Sequence, residues 1–342
     1  MKKILTLMLV IAFVFSGCIG TKKNTEQAEE ANTNDEVNTQ DTTSVSSTIT
    51  FGKTITATDD VEVEDNTATI TKVGDYKITG QADDAQLIIN APNEEVDLTL
   101  QDLDLTSANT SAITVIDADS LNITLSGENT LSDTASNTDT YQAPLFIDEV
   151  ETHILGGGIL NLNGNYQEGL ESNNDLYIED GILNVTAVDD GINTGDLLDI
   201  SGGEINIDSE GDGIDSNGDL AISGGTIYVS GGNNGNGPLD YGEGYTFTLT
   251  GGTIIAVGGN MGTTPSEDGQ TFLTATTTGD IVEVGDYTYE APKDFSYIFV
   301  SYAGLTEDTP VLVNNQEVTT SSEIETTNNG MQGNGMGGWQ PF

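Results

Sequence analysis

Acidic side chains recur at a fixed interval in the middle of this 342-residue chain. Three copies of a motif (acidic residue, Gly, aliphatic residue, polar residue, hydroxyl residue) begin at Glu168, Asp190 and Asp212, 22 residues apart. Carboxylate and amide oxygens are the ligands that Ca²⁺ prefers, so a fold that brings the copies together would create a cation site. The candidate ligands, including one from a degenerate fourth copy at 236–240, are Glu168, Glu171, Asp189, Asp190, Asn193, Asp212, Asp215 and Asp240.

Repulsion between these groups is the reason to expect a metal. Carboxylates stacked about 4.8 Å apart repel by roughly 3–4 kcal/mol per pair at an effective dielectric constant of about 20. No lysine or arginine lies between residues 78 and 292 to offset that repulsion. Raised pKa values or bound cations would relieve it. We therefore hypothesise several Ca²⁺ ions between neighbouring copies; the alternative is a solvated acidic ridge whose side chains point outward.

A second motif with the same period predicts the elements that position the acidic groups. Glycines precede alternating apolar residues at steps of 23, 22, 22 and 27, namely at Gly158, Gly181, Gly203, Gly225 and Gly252. The alternation, as in Leu183-Asn184-Val185, is typical of a half-buried strand, and a shared period indicates stacked structural units. No helical periodicity follows the N-terminus. We predict an all-β fold over 48–320, a right-handed single-stranded parallel β-helix with β caps at 48–70 and 271–320.

The outward strand positions form a second candidate site. Asn161, Asn184 and Asn206 occupy the position between two core residues in successive units, and Tyr228 follows them. Stacked asparagines can form side-chain amide ladders. The alternative is a carbohydrate-binding strip that hydrogen-bonds sugar hydroxyls, and both interpretations stay open at this point.

The ends of the chain predict an exported, lipid-anchored protein. Residues 1–17 combine Lys2 and Lys3 with an apolar stretch too short to span a bilayer, which is typical of a signal peptide. Small residues before Cys18 indicate a lipoprotein with Cys18 as the lipidated residue; the alternative is an ordinary cleaved signal. Residues 18–47 predict a disordered tether and 321–342 a disordered Gly/Met-rich tail. We therefore expect a membrane-anchored lipoprotein at the cell surface.

Charge excludes some partners. The net charge is −48, from 8 Lys+Arg against 56 Asp+Glu, which makes nucleic acid an implausible partner. An anionic polymer would be repelled as well unless a cation intervenes. The acidity also fits a solubility adaptation, and the two interpretations are compatible.

An enzyme is the less favoured class. There is no arginine, and the one histidine, His153, has no carboxylate arrangement in the sequence that singles it out. Paired carboxylates such as Asp189/Asp190 or Asp212/Asp215 can serve a glycosidase as acid and base. They recur in every unit, however, whereas an active site is normally local. We predict a protein without catalytic residues.

Together these motifs resemble the carbohydrate-binding domain-containing protein family, which comprises calcium-binding surface proteins with a pectate-lyase-like parallel β-helix. The resemblance covers about 73–260 and rests on the following segments: Gly74-Asp75-Tyr76, Leu121 to Asp133, Gly164-Asn165-Tyr166, Asp189-Asp190-Gly191-Ile192 and Gly211 to Ser216. It implies non-catalytic binding of cellulose or of acidic sugars such as polygalacturonate, with calcium held along the helix. The fourth copy, Asn236 to Asp240, departs from the acidic pattern.

The resemblance and the residues together lead to one expectation and two rivals. Aromatic residues make up 6% of the chain, which disfavours the flat platform that crystalline cellulose needs. We expect calcium-dependent binding of an extracellular polysaccharide that is acidic and bridged by Ca²⁺. The rivals are a surface adhesin or structural stalk that binds protein, and a β-helix polysaccharide hydrolase.

Overall fold

The computed structural model describes residues 45–324 except 59, 137–141, 234 and 268. The predicted signal peptide, Cys18, most of the tether and most of the tail lie outside the described residues. No helix in the described part is long and apolar enough to cross a membrane. The described chain forms these strands: β1 (Val45–Phe51), β2 (Val61–Glu64), β3 (Thr67–Ile70), β4 (Gly74–Asp83), β5 (Gln86–Thr106), β6 (Ile113–Ser126), β7 (Glu128–Ser132), β8 (Leu145–Ile147), β9 (Thr152–Leu155), β10 (Ile159–Gly164), β11 (Leu170–Ser172), β12 (Leu176–Ile178), β13 (Ile182–Ala187), β14 (Ile192–Thr194), β15 (Leu198–Ile200), β16 (Glu204–Ser209), β17 (Ile214–Ser216), β18 (Leu220–Ile222), β19 (Thr226–Ser230), β20 (Leu239–Tyr241), β21 (Phe247–Leu249), β22 (Thr253–Gly258), β23 (Phe272–Val284), β24 (Tyr287–Ser301), β25 (Val311–Val313) and β26 (Gln316–Glu317).

The strands wind into a β-solenoid of about eight turns. Each coil contributes one strand to each of three parallel sheets, and the long strands β4, β5 and β6 bend from one sheet into the next. The first sheet ends with β8, β11, β14, β17 and β20. The second ends with β9, β12, β15, β18 and β21. The third ends with β7, β10, β13, β16, β19 and β22, and the predicted parallel β-helix is confirmed.

The core is a column of aliphatic side chains that all point inward from the three sheets. Leu183 and Val185 of the third sheet, Ile192 of the first, and Leu198 and Ile200 of the second are all buried, and the other central coils repeat this set. Burying one such side chain stabilises the fold by roughly 1.5–3 kcal/mol. Each coil gains this energy only when a neighbouring coil covers its side chains.

The repeated glycines open the strands of the third sheet. Gly181, Gly203, Gly225 and Gly252 have φ between 79° and 97°, a left-handed conformation that favours glycine. The 22-residue period seen in the sequence therefore marks the point where each coil turns out of the second sheet.

Antiparallel strands adjoin both ends of the solenoid, although β1 and β3 of the predicted cap at 48–70 pair parallel with β4 and β5. At the N-terminal end β2 pairs antiparallel with β3, and at the C-terminal end β24 pairs antiparallel with β22 and with β23. We call β23 and β24 the C-terminal hairpin. It packs on the outward side of the third sheet, where Ile255 and Val257 join a second hydrophobic cluster. The β structure extends slightly beyond the predicted 48–320, because β1 begins at Val45 and Ser321 pairs with Thr274.

Candidate metal centre

The acidic groups lie where each coil turns from the third sheet into the first. The turns are short, and the coils approach so closely there that the second position of each acidic motif has room only for glycine. A Cβ on Gly191 would lie 2.5 Å from the carbonyl oxygen of Gly213, and one on Gly169 would lie 2.6 Å from that of Gly191. Those carbonyls accept hydrogen bonds from the neighbouring coil, as when Ile192 N donates to Gly213 O at 3.1 Å. The glycines thus allow neighbouring coils to stack closely.

The predicted stacking of side chains is confirmed for the polar row of the first sheet. Glu171 pairs in register with Asn193, Asn193 with Asp215, and Asp215 with Asp240. Asn193 Nδ2 donates to Asp215 Oδ2 at 3.0 Å. This row therefore presents oxygen and amide groups from four successive coils along one line.

The acidic row next to it differs from expectation in the fourth coil. Leu239 pairs with Ile214, so Gly237, not Asn236, occupies the position equivalent to Asp212. Asn236 turns away from the row, and its Nδ2 donates to Glu210 O at 3.2 Å. The row of Glu168, Asp190 and Asp212 therefore ends in a glycine, whose N–H donates to Asp212 Oδ1.

Three aspartates form the compact centre of the corner. Asp190, Asp212 and Asp215 each place one carboxylate oxygen within 4.8 Å of the others, and all three are half-buried. Asp190 Oδ1 accepts a hydrogen bond from Asp212 N at 2.6 Å. Backbone amides of the next coil thus orient the carboxylates of Asp190 and Asp212.

Burial makes these carboxyl groups weaker acids than usual. Desolvation by burial, together with the nearby Asp190 and Asp240, raises the pKa of Asp212 to about 8. The same causes raise the pKa of Asp215 to about 7. Burial also raises the pKa values of Asp190 and Asp240. Each group therefore carries a penalty for ionisation that a bound cation would remove.

A second acidic pair lies one coil earlier. Glu168 is only 9% exposed, and burial followed by the charge of Glu171 raises its pKa to about 8. Burial raises the pKa of Glu171 to about 7. In the described part of the chain, Glu168 Oε2 and Glu171 Oε2 are buried without a hydrogen-bond partner. Buried carboxylate oxygens that lack donors are suited to a hard cation, and an all-oxygen donor set fits Ca²⁺.

Asp189 is placed differently from the other candidate ligands. Its side chain is exposed beside the trio, and its backbone carbonyl accepts Gly211 N at 2.8 Å. Its charge contributes to the raised pKa values of Glu168 and Asp215. Asp189 therefore flanks the site from the solvent side, as its position in the sequence suggested.

The asparagine strip of the third sheet forms an amide ladder. Asn184 Nδ2 donates to Asn161 Oδ1 at 2.8 Å, and Asn206 Nδ2 donates to Asn184 Oδ1 at 3.0 Å. The ladder ends under the C-terminal hairpin, where Tyr228 stacks on Tyr289 with ring centroids 5.4 Å apart. The structure thus shows the ladder interpretation directly, while sugar contact by these residues stays a prediction.

Two contacts between distant residues escaped the sequence analysis. His153 Nδ1 lies 2.7 Å from Glu179 Oε1 and its Nε2 lies 3.5 Å from Glu151 Oε1, so the fold places two carboxylates beside a histidine that the sequence did not single out. Its ring stacks on Tyr177. Lys293 of the C-terminal hairpin reaches the coils and pairs with Asp208 at 2.9 Å. A search one coil away, rather than nearby in sequence, would have found the histidine contact.

Comparison with known proteins agrees with this architecture. A family model described as carbohydrate-binding domain-containing protein matches residues 64–336. The solved structure of the polysaccharide lyase-like protein from C. thermocellum, a gadolinium derivative, is similar with a TM-score of 0.52 at 24% sequence identity. The similarity covers 61% of this chain and 93% of that one, and it supports the shared fold. No curated protein matches the chain.

Proposed function

Because this chain belongs to the carbohydrate-binding domain-containing protein family, we propose that it binds an acidic polysaccharide through Ca²⁺ held at the acidic corner, without cleaving the polymer. The observation that carries the proposal is the convergence of Asp190, Asp212 and Asp215 within 4.8 Å. The binding of carbohydrate follows from the family, whereas the metal and the type of sugar rest on the corner.

The donor groups favour calcium among the common cations. Asp190, Asp212 and Asp215 would hold one ion, with Asp240 and Asn193 at its border. Glu168 and Glu171 would hold another, and Asp189 would flank both groups from the solvent side. All of these residues can supply oxygen ligands, Asn193 through its amide Oδ1, and several coils contribute to each group, which suits the flexible coordination of Ca²⁺. Bound Ca²⁺ would offset most of the negative charge of the corner and would supply coordination positions for sugar oxygens.

Charge favours an acidic polymer. At −48 the chain repels an anionic polysaccharide, and the described corner carries no lysine of its own. An ion that is shared between corner carboxylates and sugar carboxylates turns this repulsion into attraction. A neutral polymer would gain no comparable advantage from the metal.

Recurrence argues against cleavage. Glu171, Asn193, Asp215 and Asp240 occupy equivalent positions in four coils. A repeated row provides contacts along a polymer, whereas acid–base chemistry needs two carboxyl groups singled out by their surroundings. A protein-binding adhesin or stalk and a hydrolase are the outcomes against which the test is designed.

We also propose that the protein acts outside the cell, anchored through lipidated Cys18. The support is the apolar stretch after Lys2 and Lys3 and the small residues before the single cysteine. Mass spectrometry of the N-terminal peptide of the mature protein checks this: a diacylglyceryl modification is expected, and an unmodified Cys18 or cleavage elsewhere would overturn it.

Affinity electrophoresis tests the binding function. Migration should slow in gels containing polygalacturonate with Ca²⁺, and recover its unretarded rate with a chelator. Asp215→Asn should weaken the retardation, whereas Asp196→Asn, an exposed residue of the preceding coil, should not. Retardation without calcium dependence would refute the metal bridge, and absence of any retardation by acidic or neutral polymers would favour the adhesin. Release of reducing ends from the polymer would refute the non-catalytic assignment.

A further inference from the structure

One lysine makes contact with the coils near the acidic corner. Lys293 lies in β24 of the C-terminal hairpin, and its side chain is 21% exposed. Its Nζ donates to the backbone carbonyl of Ser209 and pairs with Asp208 at 2.9 Å and Glu210 at 3.3 Å. These three residues form the end of β16 and the start of the turn that carries Asp212.

Hydrogen bonds connect this contact to the aspartate trio. The hydroxyl of Ser209 is buried and donates to Asp212 O at 2.9 Å. Asp212 N in turn donates to Asp190 Oδ1 at 2.6 Å, and Gly237 N donates to Asp212 Oδ1. Ser209, whose carbonyl accepts the Lys293 hydrogen bond, is therefore linked through its own hydroxyl directly to the backbone of Asp212.

The same segment of the hairpin also holds the loop on the other side of Asp212. Asn233 Nδ2 donates to Asp294 O at 3.1 Å, and Asn236 Nδ2 donates to Glu210 O at 3.2 Å. The loop that contains Asn233 and Asn236 continues to Gly237, the donor to Asp212. Residues 293–294 thus contact both backbone segments between which the Asp212 carboxylate lies.

We propose that Lys293 is a positioning residue for the Ca²⁺ site of Asp190, Asp212 and Asp215, an inference that rests on the proposed function. Its charge is offset by Asp208 and Glu210, so it fixes the turn without placing an unpaired cation beside the metal. The pairing also keeps those two carboxylates out of the set that binds metal. The C-terminal hairpin is then part of the binding site as well as a cap.

Calorimetric titration of the full chain with CaCl₂ near neutral pH tests this assignment. Lys293→Met should weaken Ca²⁺ binding by roughly tenfold to a hundredfold, the range found when groups that orient metal ligands are removed. Lys293→Arg should restore most of the affinity, because it keeps the charge and the donors. Lys77→Met, an exposed lysine of the second sheet, is the matched control and should bind like the unaltered protein.

A double-mutant cycle separates positioning from simple capping. If Lys293 acts through Asp212, adding Lys293→Met to Asp212→Asn should cost no further affinity at this site. A Lys293→Met protein that melts earlier but binds Ca²⁺ normally while folded would overturn the inference and leave a cap. Tighter binding would overturn it too, since charge repulsion would then dominate. No calcium heat from the unaltered protein would instead refute the proposed function itself, and the inference with it.

Discussion

Replacing Asp212 by asparagine should make the metal-free protein more stable at neutral pH. Asp212 is half-buried, and its Oδ1 accepts the N–H of Gly237, a bond that an asparagine oxygen also accepts. The substitution keeps the size and this contact and removes only the charge. Burial, then the charges of Asp190 and Asp240, raise the pKa of this carboxyl from 3.8 to about 8.

The size of the effect follows from proton linkage. The unfolded chain ionises Asp212 above about pH 4, whereas the folded chain holds the proton until about pH 8. Stability is therefore lost as pH rises between these values, at about 1.4 kcal/mol per pH unit, and the loss is absent below both. At neutral pH the cost is on the order of 4 kcal/mol, reduced to about 2 kcal/mol if solvent screens half of it. For a domain of this size that corresponds to a rise of roughly 4–8 °C in Tm for Asp212→Asn.

Thermal melts followed by circular dichroism, with chelator and with saturating CaCl₂, check the prediction. In chelator the variant and the unaltered protein should melt together near pH 4 and separate progressively toward pH 8. With Ca²⁺ the order should reverse, because a ligand present at a hundredfold of its Kd stabilises the unaltered site by about 2.7 kcal/mol. Asp196→Asn, an exposed residue of the preceding coil, is the control and should stay within about 0.5 kcal/mol. Equal melting of Asp212→Asn and the unaltered protein at neutral pH in chelator would refute the reasoning.

Three further predictions concern the metal and the ladder. Chelation should lower the melting temperature of the unaltered protein, and an unchanged unfolding curve would exclude structural Ca²⁺. Calcium affinity should rise between about pH 6 and pH 8, and binding should release protons. The reason is that burial raises the pKa values of Glu168 and Asp212 to about 8 and that of Asp215 to about 7. Calorimetry in two buffers of different ionisation enthalpy checks this, and equal heats in both would show that no proton is released. Asn184→Leu removes two hydrogen bonds between side-chain amides of the ladder and should lower the free energy of unfolding by about 1–2 kcal/mol in denaturant melts. An unchanged midpoint would contradict a structural ladder.

The regular coils were predictable because identical spacing leaves only one register. Between Glu168 and Asp215 the units have nearly constant length, so counting 22 residues places Glu171, Asn193 and Asp215 in one row, as the structure shows. Counting fails at the next coil, where the connection between β19 and β20 is longer. Hydrogen bonding rather than length decides the alignment there, and it selects Gly237 in place of Asn236.

Contacts between the repeating coils and the C-terminal hairpin could not be predicted from the sequence. Lys293 is 84 positions from Ser209, and nothing in the repeat indicates that the C-terminal hairpin folds back over the third sheet. The sequence predicted a β cap at 271–320 but not the coil against which β24 packs. Burial of Glu168 likewise depends on the neighbouring turn, so the raised pKa of its carboxyl could not be read from the motif alone.

Because the coils pair in register, the number of units in the acidic row can change one coil at a time. Because the turns of Asp190 and Asp212 repeat the same backbone contacts, a coil duplicated or deleted between them would leave the rest of the stack intact. Each added unit would lengthen the acidic row by one set of ligands at unchanged spacing. Recombination between such repeats would therefore lengthen or shorten the acidic row in steps of one coil.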